Sequence, residues 1–377
     1  MHETGKVTRR KCLKSLGTAG LGAAALVTGT EQARAERIHD SQFDYRFRTY
    51  RADEEIKVGM IGTVGHRDIV LNDLPKVANC RLVAYSNTGD SNIELPAGVR
   101  VYETYDEMLD REELDVVGVC LPYSLNAKAS IAAARSNIHI ITEKPVATTL
   151  DDMQELLETV IDHGVRLTTM LNMRMLPRFQ AIYTAVGEGA IGEPILATGQ
   201  KSYKFGKSRP DFYKAEETYG GTIPWVGIHA LDYIHFTTRL NYTDLFAYQG
   251  NKDHPDYPGF QDFAGVVLRL DNGGTAMVNI DYLRPETAPS HGDDRLRIIG
   301  SEGVIEIKDL GARVELITSS HEAYDIPYPE EKFLFADFMA ELRDEAQHVV
   351  RPAEPFEMTR VALLAHQSAK QHTLVRL

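Results

Sequence analysis

Two rhythms of hydrophobic residues follow each other along this chain, and each predicts a different kind of sheet. Between Ile56 and about Asn172, short apolar runs alternate with segments of helical spacing. Strands that are apolar on both faces and separated by helices are typical of a parallel sheet covered on both sides. The predicted strands are 56–61, 82–85, 116–121, 138–142 and 165–170, and the clearest helices are 126–136 and 150–163.

The second rhythm begins after Asn172, where apolar runs follow each other with only short turns between them. Asp271-Asn272-Gly273-Gly274 is a hairpin signal, because these residues accept positive φ at little cost. Two amphipathic helices, 331–349 and 356–372, are expected to close the structure. The predicted strands are 195–203, 245–249, 263–270, 275–282, 295–299, 303–308 and 313–318. We therefore predict an α/β domain at 56–172, followed at 173–377 by an α+β domain with a large, mostly antiparallel open sheet.

The first 35 residues predict an export signal. Arg9-Arg10 precedes an uncharged run, Ser15 to Thr30, and Ala33-Arg34-Ala35 offers a small-x-small cleavage site after Ala35. The paired arginines resemble a twin-arginine signal, although Cys12 stands where that signal usually has Phe. A Sec signal or a retained anchor is the alternative. We expect a periplasmic or extracytoplasmic mature protein without stable membrane insertion.

Composition narrows the class of partner. The chain has 377 residues, 43% of them hydrophobic and 25% charged, and a formal net charge of -13. Nucleic-acid binding needs an excess of Lys and Arg, so a small molecule is the expected partner. Cys80 and Cys120 are predicted to be free thiols, and no metal-ligand spacing occurs, so no metal site is predicted. Residues 36–55 are polar and aromatic, and predict an arm on a surface or on a neighbouring subunit.

A glycine-rich turn follows the first strand, in Val58-Gly59-Met60-Ile61-Gly62-Thr63-Val64-Gly65-His66. A strand that enters such a turn and then a helix can bind a pyrophosphate, so Gly62, Thr63, Val64, Gly65 and His66 are candidate cofactor ligands. The usual glycine spacing is incomplete, and a tight structural turn is the alternative. After the second strand, Ser86 and Asn87 stand where an acid usually binds the ribose. NAD and NADP therefore both remain open.

Thr142-Glu143-Lys144-Pro145 directly follows the fourth predicted strand. Residues beyond the carboxyl ends of strands in a doubly wound sheet face the ligand crevice. A lysine there can orient a substrate hydroxyl and take part in proton transfer if its surroundings lower its pKa. A solvated loop lysine is the alternative.

The order of these motifs resembles the Gfo/Idh/MocA oxidoreductases, from about Ile56 to the C-terminus. The motifs are the glycine-rich turn, Asp115-Val116-Val117 leading to Pro122, Glu143-Lys144-Pro145, Arg174-Met175-Leu176-Pro177, Gly189-Ala190-Ile191-Gly192, and Gly220-Gly221-Thr222 leading to His229-Ala230-Leu231-Asp232. This combination is specific for the family and uninformative about the substrate.

The resemblance implies a Rossmann domain that binds NAD or NADP, with Pro122, Glu143 and Lys144 beside the cofactor. Lys144 and His229 match the family's catalytic lysine and histidine. One of them would take the proton from a hydroxyl of a sugar, cyclitol or glycoside while hydride leaves for the nicotinamide. A dimer or tetramer is likewise implied by the resemblance.

Two positions depart from the family pattern. Family members commonly have Asp four residues before the histidine, where this chain has Trp225, and often His where it has Asn126. Trp225 can stack on a sugar face or simply pack in the core. Arg174, Lys204 and Arg209 are further candidate substrate ligands.

Three functions follow from these observations. An exported enzyme has no nicotinamide pool to draw on, so the first is an oxidoreductase with tightly bound cofactor that returns the hydride to a second carbonyl compound. The second is redox-neutral: transient oxidation permits elimination or epimerisation of a glycoside before the hydride returns. The third is a carbohydrate-binding relative without catalysis.

Overall fold

The computed structural model describes residues 36–89 and 93–377, so the signal predicted at 1–35 lies outside the described residues. Residues Arg37–Leu377 form one compact unit that contains two sheets. Among the described residues, no helix is both long enough and apolar enough to cross a membrane.

The first sheet has six parallel strands in the order β3-β2-β1-β4-β5-β6. They are β1 Ile56–Ile61, β2 Cys80–Ser86, β3 Arg100–Tyr102, β4 Val116–Val119, β5 His139–Thr142 and β6 Leu167–Thr169. This order confirms the doubly wound α/β prediction, and it places a topological switch point between β1 and β4, where such sheets bind ligands. Strand β3 was missed because it is a three-residue edge strand with no buried residue.

Helices cover both faces of this sheet, as the alternating pattern predicted. They are α1 Asp68–Asp73, α2 Tyr105–Arg111, α3 Asn126–Arg135 and α4 Leu150–His163. The start of α4 is fixed by Thr149, whose side chain accepts a hydrogen bond from the N–H of Asp152 at 3.1 Å. Acidic Asp151 and Asp152 occupy its first turn, where the helix dipole favours negative charge.

The second sheet has nine strands in the order β14-β13-β12-β11-β7-β10-β9-β8-β15. They are β7 Pro194–Tyr203, β8 Tyr242–Gly250, β9 Phe263–Leu270, β10 Thr275–Asp281, β11 Gly292–Gly300, β12 Gly303–Lys308, β13 Arg313–Thr318, β14 His321–Asp325 and β15 Val375–Arg376. Within this sheet, β7 and β10 form the one parallel pair among the described strands, so the mostly antiparallel prediction is confirmed. The polar β14 and the two-residue β15 were missed.

Five helices complete the second half. They are α5 Pro177–Gly187, α6 Glu216–Tyr219, α7 Ile228–Thr238, α8 Leu334–Leu342 and α9 Glu354–Gln371. The predicted helix 331–349 is wrong in extent, because Asp344 takes a positive φ of 58° just beyond α8. The chain then folds back, and the Asp337 carboxylate accepts hydrogen bonds from the N–H of Val349 and from His348 Nδ1.

The arm at 36–55 lies on this chain's own parallel half. The Tyr45 hydroxyl donates to the carbonyl of Val165 at 2.6 Å, and the Phe43 ring stacks on Phe356 of α9. Ile38 and Tyr50 are buried there. Cys80 and Cys120 are both free thiols, as predicted.

Candidate active site

The glycine-rich turn after β1 is tied to both neighbouring strands. The N–H of Gly62 donates to the carbonyl of Ser86 at 2.9 Å, and the N–H of Val64 donates to that of Cys120 at 2.8 Å. Gly62 has φ 79°, and a Cβ at this position would lie 2.3 Å from the Cys120 carbonyl oxygen. The turn therefore requires glycine at Gly62 for both backbone conformation and space.

Replacing Gly62 with alanine is expected to destabilise the protein and weaken NAD(H) binding by about tenfold or more, because the turn must shift. Gly273→Ala is the matched control: its φ is 89°, but a Cβ there meets nothing within 4 Å. A positive φ at a residue other than glycine costs about 1–2 kcal/mol, so the free energy of unfolding of Gly273→Ala should fall only by that amount. Denaturant unfolding and fluorescence titration with NADH measure both effects. Equal losses in the two variants would remove the steric argument for Gly62.

The same end of the sheet fits a dinucleotide cofactor. Gly65, with φ 78°, comes so close to the Glu143 carboxylate that no side chain fits there. At the end of β2, Ser86 Oγ and Asn87 Oδ1 are buried and have no hydrogen-bond partner among the described residues. Such unpaired buried acceptors and donors are costly unless a ligand satisfies them. The structure thus gathers the predicted cofactor residues Gly62, Thr63, Val64, Gly65, His66, Ser86, Asn87, Pro122, Glu143 and Lys144 at the carboxyl ends of β1, β2, β4 and β5.

Lys144 is a buried lysine at the centre of this region, and only 2% of the residue is exposed. Its Nζ donates to the carbonyl of Trp225 at 2.7 Å and lies 3.3 Å from the centre of the Trp225 ring. The pKa of Lys144 is lowered to about 7, mainly by burial; the charge of Glu143 opposes this shift and the charge of Lys201 contributes to it. At neutral pH this amine can therefore gain or lose a proton. A solvated loop lysine, the alternative that the sequence left open, would stay protonated at this pH.

Trp225 and His229 reach the same place from the second half of the chain. Residues Ile223–Gly227 form a single π-helical turn that leads directly into α7, and such turns often occur at functional sites. The Trp225 ring stacks on Tyr123, with ring centres 3.3 Å apart. The indole therefore contacts Lys144 while it is buried in the same hydrophobic cluster as Tyr123.

His229 is fully enclosed. Its Nδ1 has no hydrogen-bond partner among the described residues. Burial drives the pKa of His229 well below its usual value, and the charges of Lys144, Lys201 and His66 add to that effect. The imidazole is therefore neutral, and the position one turn earlier holds Trp225, which cannot balance a positive charge.

Glu143 binds His66 across the site. The fully buried carboxylate accepts a hydrogen bond from His66 Nδ1 at 2.8 Å, a short one from the N–H of His66, and one from the N–H of Lys144 at 3.1 Å. Burial alone would raise the pKa of Glu143, but His66 and Lys144 lower it overall. The carboxylate is thus charged and held in place.

Sequence reasoning missed two residues of this cluster, Tyr123 and Lys201. Lys201 is fully buried, and its Nζ lies 2.7 Å from Asp294 Oδ1 as an ion pair without hydrogen-bond geometry. A signal for it was present, because Lys201 falls on the same face of β7 as buried Ala197 and Gly199. A lysine on the inward face of a strand is rare without a partner or a function.

The three other predicted substrate ligands lie apart from Lys144. Arg174 is buried in an ion cluster with Asp232 and Glu354, which engages its guanidinium. Lys204 Nζ donates to the carbonyls of Glu286 and Ala288. Arg209 donates to the carbonyls of Phe205 and Lys204, and its guanidinium lies over the Tyr213 and Tyr282 rings. Arg209 is linked to the site through Tyr213, whose hydroxyl lies 2.7 Å from that of Tyr123.

Asn126, which stands where family members often have a histidine, binds the backbone. Its Oδ1 accepts a hydrogen bond from the N–H of Leu121 at 2.9 Å, which fixes the loop between β4 and α3. Its Nδ2 is buried and has no partner among the described residues. The side chain supplies a donor here but no proton acceptor of imidazole strength.

Comparisons with known proteins agree with this architecture. Residues 56–171 match the model of an oxidoreductase family with an NAD-binding Rossmann fold, and residues 179–306 match the GFO/IDH/MocA C-terminal domain. The solved structure of a candidate oxidoreductase from Thermotoga maritima is 34% identical, with a TM-score of 0.80 over 85% of this chain and 100% of that one.

Two curated relatives carry further information. An oxidoreductase of Bacillus subtilis named YrbE, whose activity is uncharacterised, is 28% identical over 66% of this chain and 73% of its own length. The myo-inositol 2-dehydrogenase of Thermotoga maritima is 24% identical over 66% of this chain and 74% of its own length. The cofactor of this chain is accordingly NAD or NADP.

Proposed function

Because the chain belongs to the Gfo/Idh/MocA oxidoreductase family, we propose that it oxidises a hydroxyl group of a sugar, cyclitol or glycoside with a tightly bound nicotinamide cofactor. The observation that carries this proposal is Lys144, a buried amine with a pKa of about 7 beside the cofactor residues. The relative that acts on myo-inositol supports a polyhydroxylated substrate. The cofactor supplies the hydride acceptor when it is bound.

Residues of the chain bind and orient the substrate. Lys144 Nζ donates a hydrogen bond to the substrate oxygen and stabilises the negative charge that develops there. The Trp225 ring packs on Tyr123 and also contacts Lys144 Nζ, so the indole holds the buried amine in place. Burial of the cluster excludes water, which strengthens the hydrogen bond from Lys144.

Export with the cofactor in place is part of the proposal. A twin-arginine route moves folded proteins, so a chain with the signal at 1–35 would carry its nicotinamide across the membrane. Such an enzyme must return the hydride to a second carbonyl compound, since no free cofactor pool exists outside.

The expected result is stoichiometric NAD(H) or NADP(H) in exported protein purified without added cofactor. Denaturing the mature chain and identifying the released nucleotide by absorbance and mass makes the measurement. Gly62→Ala, expressed in the same way, is the matched control with weakened binding. A wild-type protein that is empty and fails to bind added NAD(P) would contradict the proposal.

A redox-neutral reaction is the second candidate, and Trp225 favours it. A carboxylate at position 225 would balance the positive charge that His229 gains when it removes a proton from the substrate for good. The indole of Trp225 cannot balance that charge. Elimination or epimerisation of a glycoside needs only transient oxidation, after which the hydride returns to the substrate. Substrate deuterated at the oxidised carbon distinguishes the two: the label stays in the product of a redox-neutral cycle and leaves with the second carbonyl compound otherwise.

A further inference from the structure

Family members commonly have a carboxylate one helical turn before the histidine, and this chain, with Trp225 there, has a buried carboxylate elsewhere in the site, at Glu143. Glu143 is fully buried, and its two oxygens accept hydrogen bonds from Lys144 N–H and from two donors of His66. Gly65 packs against the same carboxylate, which keeps it from turning away. A charged, immobile carboxylate on Nδ1 of an imidazole is the arrangement that orients a histidine for proton transfer.

His66 and His229 differ in what they can do with a proton. With Nδ1 donating to Glu143, His66 has a free lone pair on Nε2, and 34% of its side chain is exposed. A proton taken there can leave to water. His229 has no carboxylate on its ring and is 1% exposed, so an imidazolium there would be buried among Lys144, Lys201 and His66 without a counter-ion.

The two imidazoles are nevertheless close together. Their ring centres are 5.9 Å apart with the rings nearly perpendicular, and His66 lies 6.3 Å from the Trp225 ring. Trp225 also contacts Lys144 Nζ. A substrate oxygen that reaches Lys144 therefore enters the neighbourhood of His66. The charged groups that face this region are Glu143 and Lys144 from the parallel half, and Lys201 with its partner Asp294 from the second sheet.

We propose that His66, oriented by Glu143, is the imidazole that accepts the substrate hydroxyl proton, in place of His229. This inference rests on the proposed function. The O–H bond breaks, and its proton forms an N–H bond at Nε2. The hydrogen of the neighbouring C–H bond leaves with its electron pair, as hydride, to the NAD(P)⁺ that the family's activity supplies, and a C=O bond forms. The imidazolium is balanced by Glu143 and returns its proton to solvent.

Chemical rescue is the sharpest test, because a structural histidine does not respond to it. In the holoenzyme, with myo-inositol and a panel of aldoses and glycosides as probes, His66→Ala is expected to lower kcat by about 100- to 10,000-fold. Affinity for NADH should change by less than about threefold, and added imidazole should restore at least about tenfold of the lost rate. His229→Ala is expected to lose less and to show no rescue. His321→Ala, which changes an exposed histidine at the start of β14, should match the wild type.

A second readout needs no turnover. Nitrogen-15 spectra of the imidazole signals should show His66 in the Nδ1–H tautomer, with its signal identified by its loss in His66→Ala. Glu143→Gln should abolish that preference, because an amide in this place can also donate to Nδ1. A wild-type His66 in the Nε2–H tautomer would overturn the inference.

The kinetic outcomes separate the inference from the proposed function. If the wild type transfers hydride and His66→Ala is equally fast, or if His66→Ala raises only the KM for NAD, His66 is at most a cofactor contact and the inference fails alone. A larger loss in His229→Ala than in His66→Ala has the same meaning. A wild type that binds cofactor but transfers no hydride to or from any probe overturns both.

Discussion

Lys144→Met is expected to lower kcat by about a thousandfold or more while the fold and the affinity for NAD(H) stay close to the wild type. Loss of a preorganised donor to a developing oxyanion costs about 100- to 1,000-fold, and the buried surroundings of Lys144 place its loss at the upper end of that range. Methionine fits the same apolar surroundings, so the fold is kept. It also removes an amine whose charged form is disfavoured by burial, as its pKa of about 7 shows. Stopped-flow measurement of NADH formation, with thermal unfolding in parallel, tests this result.

Two variants define the specificity of the loss. Lys144→Arg keeps a positive charge, but the larger planar guanidinium cannot take the place of the amine against the Trp225 ring, so it should also be inactive. Lys128→Met removes an exposed lysine from α3 of the same domain and should leave kcat unchanged. Turnover of Lys144→Met within about tenfold of the wild type would show that the buried amine does not take part in the chemistry.

The fold was largely predictable because its signals are local. Val116–Val119 and His139–Thr142 are buried on both faces, and so read as continuous apolar runs, while Thr149 with two following acids marks the start of a helix. Strand β3 and the end of α8 were not predictable in this way. The first has no apolar run, and the second depends on Asp337 contacting Val349, twelve residues away.

The site was only partly predictable, because its geometry depends on which residues face each other across the two halves. Lys144, Trp225 and His229 come together as expected from the motifs. No local pattern indicates that Lys144 Nζ lies on the Trp225 ring or that Glu143 binds His66. The first contact joins the parallel sheet to the π-helical turn before α7, and the second joins the end of β5 to the turn after β1. Arg174 was predicted to bind substrate from its place in a family motif. That motif does not indicate that the guanidinium binds buried carboxylates instead.

Arg174→Met is expected to lower the free energy of unfolding by about 3–5 kcal/mol, because it leaves two buried carboxylates without their cation. Arg174 donates to Asp232 through Nε and NH2, the shorter contact being 2.6 Å, and to Glu354 through NH1 at 2.5 Å. Asp232 lies on α7, three residues beyond His229, and Glu354 begins α9. The guanidinium therefore fixes the helix that carries His229 against the end of the parallel sheet. Denaturant unfolding of the mature chain, with circular dichroism as the signal, measures the loss.

Two comparisons decide whether Arg174 acts in stability or in substrate binding. Arg313→Met removes a surface arginine that also pairs with several carboxylates, and it should leave the unfolding midpoint almost unchanged, since water screens those pairs. Replacing Asp232 with leucine in the Arg174→Met background should restore part of the lost stability, because one unpaired buried charge is removed with its partner. If Arg174→Met instead unfolds like the wild type and raises only the KM for the sugar or cyclitol, the guanidinium is available to substrate. The sequence-based prediction that Arg174 binds substrate would then be correct, although the structure places Arg174 in the ion cluster.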